Sequence, residues 1–203
     1  MGSQWRPVLV GLLLAVLVLA ISDAVVLHAL RGPAASFDQT VRMDVHALAS
    51  APLSIAMRIL TWLGATITLV VAGFAAAAVL WRRGLRQRAC IPPFALALAC
   101  ALTQIAKHVV RRPRPEPFFG LHTPESWSFP SGHSLNSTLC WLVFAAALSP
   151  LIGPRYRLAI AIALIVGITR VYLGVHWPTD VLTGWAAGAC AAAGLIRASR
   201  VLR

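Results

Sequence analysis

The sequence predicts an all-α protein, a single polytopic bundle of six transmembrane helices with a short interfacial helix. Three observations predict it. Hydrophobic residues make up 59% of the 203 and charged residues 12%, with a mean hydropathy of +0.77; a soluble domain carries about a quarter charged residues. The apolar residues gather into runs near the length, about 20 residues, at which a helix crosses a bilayer. Most arginines sit in short clusters between those runs, the pattern of loops kept on the cytoplasmic side.

Taken in order, the runs cover about residues 8–30, 52–81, 91–110, 131–149, 157–174 and 180–197. Breakers mark the joins: Gly32 with Pro33, Pro92 with Pro93, the proline-rich 113–130 stretch, Pro150 with Pro154, and Pro178. Arg170 and Asp180 interrupt the fifth and sixth runs near their ends. A basic residue ahead of the first run also fits a signal peptide. Its apolar character continues past Asp23 to Leu30, longer than a usual signal core, so a retained helix is expected. The Met-Gly start is not an acylation signal, because Arg6 stands where Ser or Thr is needed. Between the first two runs, Phe37, Val41, Val45 and Leu48 recur at helical spacing and Ser36 with Gln39 forms a capping box, while Asp38, Arg42 and Asp44 face elsewhere. That segment reads as an interfacial helix that shields the bundle mouth rather than one that takes part in chemistry. The short loops leave no room for a further domain, so residues 1–203 are expected to form one membrane-embedded unit.

Orientation follows from the charges. With a cytoplasmic N-terminus, one side holds Arg6, the Arg82, Arg83, Arg86 and Arg88 loop, Arg155 with Arg157, and the tail arginines Arg197, Arg200 and Arg203. The other side then receives every acidic residue: Asp23, Asp38, Asp44, Glu116, Glu125 and Asp180. The expected topology is N-in, C-in. The net charge of +12 does not point to nucleic acid, because no continuous basic face exists to follow a phosphate backbone. Cys90, Cys100, Cys140 and Cys190 all lie in apolar stretches without CxxC pairing and read as small buried hydrophobes.

Three polar segments share the extracytoplasmic side in this topology. One closes the third run, from Lys107 through Arg111, Arg112 and Arg114 to Pro115. The second, Pro130, Ser131, Gly132 and His133, opens the fourth, and the third joins the last two runs with Arg170, His176 and Asp180. Ionisable residues at membrane depth are costly and mark function. Each segment alone has an ordinary reading: a snorkelling lysine, arginines on headgroups, a capped helix start, a satisfied polar pair. Their meeting on one face does not. A histidine four residues before an aspartate can be held in one tautomer as a base or nucleophile. Arginine offers a permanent charge and a planar fork for phosphate oxygens. Ser131 and Gly132 start a helix, where backbone N–H groups favour an anion.

Lys107 with Arg114 and Pro115, Pro130 to His133, and Arg170 with His176 and Asp180 resemble the three-part signature of the type 2 phosphatidic acid phosphatases. That superfamily includes lipid phosphate phosphatases, undecaprenyl pyrophosphate phosphatases, glucose-6-phosphatases and soluble vanadium haloperoxidases. The one departure is Thr169, where a serine usually precedes the arginine. The resemblance covers the chain from about the second run onward. It implies metal-independent hydrolysis of a lipid-linked phosphate or diphosphate, without a cofactor, on the periplasmic side of a bacterial cytoplasmic membrane. His176 would be the nucleophile, forming a phosphohistidine, Asp180 its partner, and His133 the general acid. Lys107, Arg114, Arg170, Ser131 and Gly132 would hold the phosphate. Candidate substrates are phosphatidate, phosphatidylglycerol phosphate and undecaprenyl diphosphate; no obligate protein partner is implied. Arg111, Arg112, Glu116 and Glu125 are expected at most to shape the approach of substrate. Trp127 and Trp177 read as interface anchors, and His28, His46, His108 and His122 fit no motif. The rival class is an anion-binding transporter or channel, against which the paired histidines and Asp180 argue.

Overall fold

The computed structural model describes residues 6–29 and 33–199. Among them it has nine α-helices and no strand: α1 (Arg6–Ala29), α2 (Pro33–Ala47), α3 (Ala51–Leu60), α4 (Thr66–Arg82), α5 (Arg86–Ala89), α6 (Ile91–Val110), α7 (Gly132–Ile152), α8 (Tyr156–Tyr172) and α9 (Pro178–Ser199). Helix α7 is the hub. It packs against α4, α6, α8 and α9, and buries Leu135, Leu139, Val143 and Phe144 almost completely. Polar residues of its first turns survive there by bonding backbone: Thr138 Oγ1 donates to the Ser134 carbonyl at 2.7 Å. Thr103 of α6 donates to Asn136 across the helix pair at 2.8 Å. Helix α1 lies along α9, and α2 covers the end of the bundle where α8 meets α9.

Among the described residues four helical stretches are long and apolar enough to cross a bilayer, Arg6–Ala24, Arg86–Val110, Gly132–Ile152 and Pro178–Ala198. Ser36–Ala47 and Ala51–Gly64, bent 119° apart, pass together as a broken fifth. Leu13, Ile59, Val71, Ile105 and Leu158 point outward and are mostly exposed. So apolar an exterior suits lipid and not water.

The expected third run coincides with α6, and the first, fourth, fifth and sixth differ from helices by a few residues. The second does not form one helix. It divides into α3, a 3₁₀ turn at Thr61–Gly64, and α4. The break has partners: Thr61 Oγ1 accepts from Arg170 at 2.8 Å, and the freed Leu63 carbonyl accepts from Trp141 Nε1 at 3.0 Å. The expected capping box is also corrected, since α2 begins at Pro33 and Ser36 lies within its first turn. The expected face of α2 holds in part: Val41 and Val45 are half-buried, with Val45 packed on Tyr172, Leu173 and Val175, but Phe37 and Leu48 are exposed while Asp38 and Arg42 are buried. Pro150 does not end the fourth helix, which runs on to Ile152. Cys90 is exposed rather than buried. Gly32, Arg200 and Arg203 lie outside the described residues, as does the side chain of His28.

Candidate active site

Lys107 is buried in the last turn of α6, while adjacent His108 is exposed and returns its Nδ1 to the Gln104 carbonyl at 2.8 Å. The helix stops because Arg111 enters the left-handed region, φ 51°, and its Nε caps the His108 carbonyl at 3.0 Å. Pro113 and Pro115 then hold the chain extended. Alternate side chains of an extended segment point the same way, so Arg112 and Arg114 turn inward and Arg111 does not.

The Pro130 segment starts α7 as its residues predict. Ser131 is the N-cap, accepting from the Ser134 amide at 3.4 Å and the Ser134 hydroxyl at 3.0 Å. A side chain at position 132 would come within 3.1 Å of Thr103 Cγ2 and 4.0 Å of Lys107 Cε, which shows how near the lysine lies to this helix start. Helix α9 abuts the same turn, and the Ser131 amide donates to the Asp180 carbonyl at 3.1 Å.

Between α8 and α9 the chain reverses at Gly174, φ 72°, where a Cβ would meet the Phe118 backbone nitrogen at 2.8 Å. Pro178 opens α9, placing Asp180 in its first turn near the positive end of the helix dipole. His176 and Asp180 thereby face each other. His176 Nδ1 lies 3.4 Å from Asp180 Oδ2, which also accepts from Ser128 Oγ and, at 3.1 Å, from the Trp177 amide. The other ring nitrogen, Nε2, accepts from Arg114 Nη1 at 3.0 Å. Burial pushes the His176 pKa from 6.5 down to about 3; the bond to Asp180 opposes this, and the charges of Arg114 and Arg170 reinforce it.

All eight expected site residues come into one cluster. Lys107 Nζ donates to the Trp127 carbonyl, which Arg114 Nη2 also reaches at 3.3 Å. Arg114 is held further by the Ser126 carbonyl at 2.6 Å and the Val175 carbonyl at 2.7 Å. Half-buried His133 lies within electrostatic reach of Arg170, His176, Arg114 and Lys107. Arg170 spends Nη1 on Thr61, while its buried Nε has no partner among the described residues. The Nε atoms of Arg42 and Arg112 are unpaired in the same way, so it is the place of Arg170 beside Arg114 and His133, rather than the open donor, that suits an anion.

Three participants escape the sequence reading. Ser128 braces Asp180 from a loop that carries no recognisable motif. Arg112, expected only to shape substrate approach, bridges Asp180 and Asp38 through bonds of 2.6 Å each, with all three side chains nearly inaccessible. Asp38 of α2, expected only to lie off the apolar face of its helix, also accepts from the Thr179 amide at 2.9 Å and from the Thr179 hydroxyl at 2.7 Å. Removing one member of such a buried pair costs about 3–5 kcal/mol, since it strands the other charge. A usable signal was the scarcity of acidic residues, six in the chain, which makes each a candidate for a specific partner.

This helical architecture and this cluster belong to a known class. The family model described as "PAP2 superfamily" matches residues 88–202, more than half of the chain, and the chain is a member of that family. It is 43% identical over 94 residues to phosphatidylglycerophosphatase B of Bacillus subtilis (strain 168), covering 43% of this chain and 46% of that protein. It is 36% identical over 99 residues to undecaprenyl-diphosphatase of Sulfolobus acidocaldarius, covering 45% of each. These alignments thus span about half the length of the curated relatives. The solved structure of a transmembrane PAP2 type phosphatidylglycerolphosphate phosphatase from Bacillus subtilis superposes with a TM-score of 0.83 at 28% identity, covering 98% of both chains. The chain is an integral membrane protein.

Proposed function

We propose that the protein is a membrane phosphatase that hydrolyses a lipid-linked phosphate or diphosphate through a phosphohistidine at His176, on the extracytoplasmic face of a bacterial cytoplasmic membrane. The observation that carries this reading is the division of the His176 ring: Nδ1 faces Asp180 while Nε2 faces Arg114 among the cations. Burial keeps the imidazole neutral at ordinary pH, as a nucleophile must be. Nε2 forms a bond to phosphorus as the bond to the leaving oxygen breaks, and His133, entering the step as an imidazolium that the charge of the bound phosphate stabilises, gives that oxygen its proton. Asp180 stabilises the positive charge that the ring acquires. Water then attacks the phosphorus–nitrogen bond with His133 taking its proton, releasing phosphate and free His176. Lys107, Arg114, Arg170 and the start of α7 at Gly132 neutralise the equatorial oxygens; the Ser131 amide, bonded to the Asp180 carbonyl, fixes that helix start instead. In this role the three cations supply the charge that a metal provides elsewhere, so the reading needs none.

Six spans are proposed, with α4 and α8 joining the four longer helices. Each has 17 residues, or about 26 Å at 1.5 Å per residue, just under a typical hydrocarbon thickness. The charge split supports the N-in, C-in orientation. The names of the Bacillus subtilis relatives favour phosphatidylglycerol phosphate as the first substrate to try, with phosphatidate and undecaprenyl diphosphate beside it.

The test is phosphate release by detergent-solubilised protein across those three lipids. Release is expected to persist in EDTA, to be inhibited by vanadate, and to fall at least a thousandfold in His176→Ala. An obligate requirement for Mg²⁺, or full activity in His176→Ala, would sink the reading.

A further inference from the structure

Helix α2 supplies a charge to the heart of the site without approaching the reacting atoms. Asp38 lies in its second turn and is 1% exposed. Its Oδ1 takes the amide of Thr179, an unpaired donor of the first turn of α9, so α2 caps α9 from outside the helix. Its Oδ2 takes Arg112 Nη2 and the Thr179 hydroxyl. Arg112 places Nη1 on Asp180 Oδ1 at 2.6 Å, leaving Oδ2 to face His176 Nδ1. The fork of the guanidinium thus joins two carboxylates, and charges alternate along the row from Asp38 through Arg112 and Asp180 to the histidine.

From this row we infer that Asp38 is a positioning residue for hydrolysis: by neutralising Arg112 and fixing its fork, it lets the Asp180 carboxylate serve His176 rather than pair fully with the arginine. The inference rests on the reading of His176 as nucleophile. Without the charge at position 38, Arg112 is a net cation beside Asp180. The imidazolium-like ring of the phosphohistidine then loses part of its counter-charge. His176 already faces Arg114 from the 111–130 loop, Arg170 from α8, and His133 of α7 and Lys107 of α6 nearby, with Asp180 as its one carboxylate among the described residues. A further uncompensated cation therefore falls on a site with little negative charge to absorb it. The capping role and the charge role separate chemically, because asparagine keeps an acceptor for the Thr179 amide and removes the charge.

The experiment compares Asp38→Asn with Asp44→Asn, an exposed acid on the same helix, in detergent with the lipid that the unaltered protein hydrolyses best. Asp38→Asn is expected to lower kcat at least tenfold with KM within threefold, and Asp44→Asn to leave both within twofold. In an Arg112→Gln background the Asp38→Asn effect is expected to shrink below twofold, because the residue acts through that arginine. If Asp38→Asn elutes as aggregate, Arg112→Lys, which keeps the charge and loses the fork, carries the same expectation of a kcat loss at constant KM. A kcat within twofold in the folded variant, a loss confined to KM, or an undiminished effect in the Arg112→Gln background overturns the inference. Full activity of His176→Ala would instead remove the reading beneath it, so the two failures are distinguishable.

Discussion

Within four residues, three arginines acquire three different surroundings. Arg111 is exposed and closes α6, Arg112 is buried between two carboxylates, and Arg114 meets backbone carbonyls and the His176 ring. Identical chemistry is separated by backbone direction alone, a left-handed residue followed by an extended one. His176 shows how burial adjusts a side chain without changing it. Between pH 6.5 and about 3 an unfolded histidine binds a proton that the folded residue refuses. Stability rises with pH wherever the unfolded chain holds more protons, so the penalty is absent above that window and grows as pH falls through it. The melting temperature in detergent is expected to drop more steeply from pH 6 to 4 in the unaltered protein than in His176→Gln, which has no such proton to gain. The acid limb of kcat/KM, which reports groups of the free enzyme, is expected well below 6.5; a limb at the ordinary histidine value would contradict the buried, neutral ring.

At the scale of elements, α9 does two jobs at its two ends. Near its start Gly184 lies against the N-terminus of α7, where a Cβ would sit 3.0 Å from the Ser131 carbonyl and 2.9 Å from Ser134 Cβ. Near its end Gly194 lies against α1, with a Cβ position 2.7 Å from the Pro7 carbonyl. Small residues let helices approach backbone to backbone, which suits association inside a bilayer. The two glycines are about 15 Å apart along the axis at 1.5 Å per residue. Gly184→Ala is therefore expected to cut phosphate release at least tenfold, by prising Asp180 and Ser131 apart. Gly194→Ala is expected to lower the melting temperature by several degrees and keep most activity. Equal activity losses in the two variants would show that α9 does not divide its work this way. Helix α2 belongs to the first end, since its inward face carries the polar pair Asp38 and Arg42 beside Val45.

The whole molecule turns the charge distribution into an orientation. Basic clusters resist translocation, so the Arg82 to Arg88 loop is expected in the cytoplasm and the loop holding His122 outside. In a variant without the four native cysteines, His122→Cys is expected to react with a membrane-impermeant maleimide added to intact cells. Arg83→Cys is expected to react only after permeabilisation. Both positions are exposed, so burial does not confound the comparison, and the reverse pattern would overturn the orientation.

Local chemistry was legible in the chain because it depends on near neighbours. Apolar run lengths located the long helices, proline and serine marked the start of α7, and four-residue spacing put His176 opposite Asp180. All eight candidate site residues were named from motifs, since each motif carries its own helix end. What only the tertiary structure decided is whatever joins distant segments: the break of the second run to serve Arg170 and Trp141, the bracing of Asp180 by Ser128, and the bridge from Asp38 through Arg112. Asp38 and Arg112 are 74 residues apart, and no periodicity relates them. A buried charge needs an opposite charge wherever the fold can bring one. Which residue answers is set by packing, and hydropathy leaves Asp38 and Arg42 off the inward face of α2 because it scores them for water when their partners lie inside.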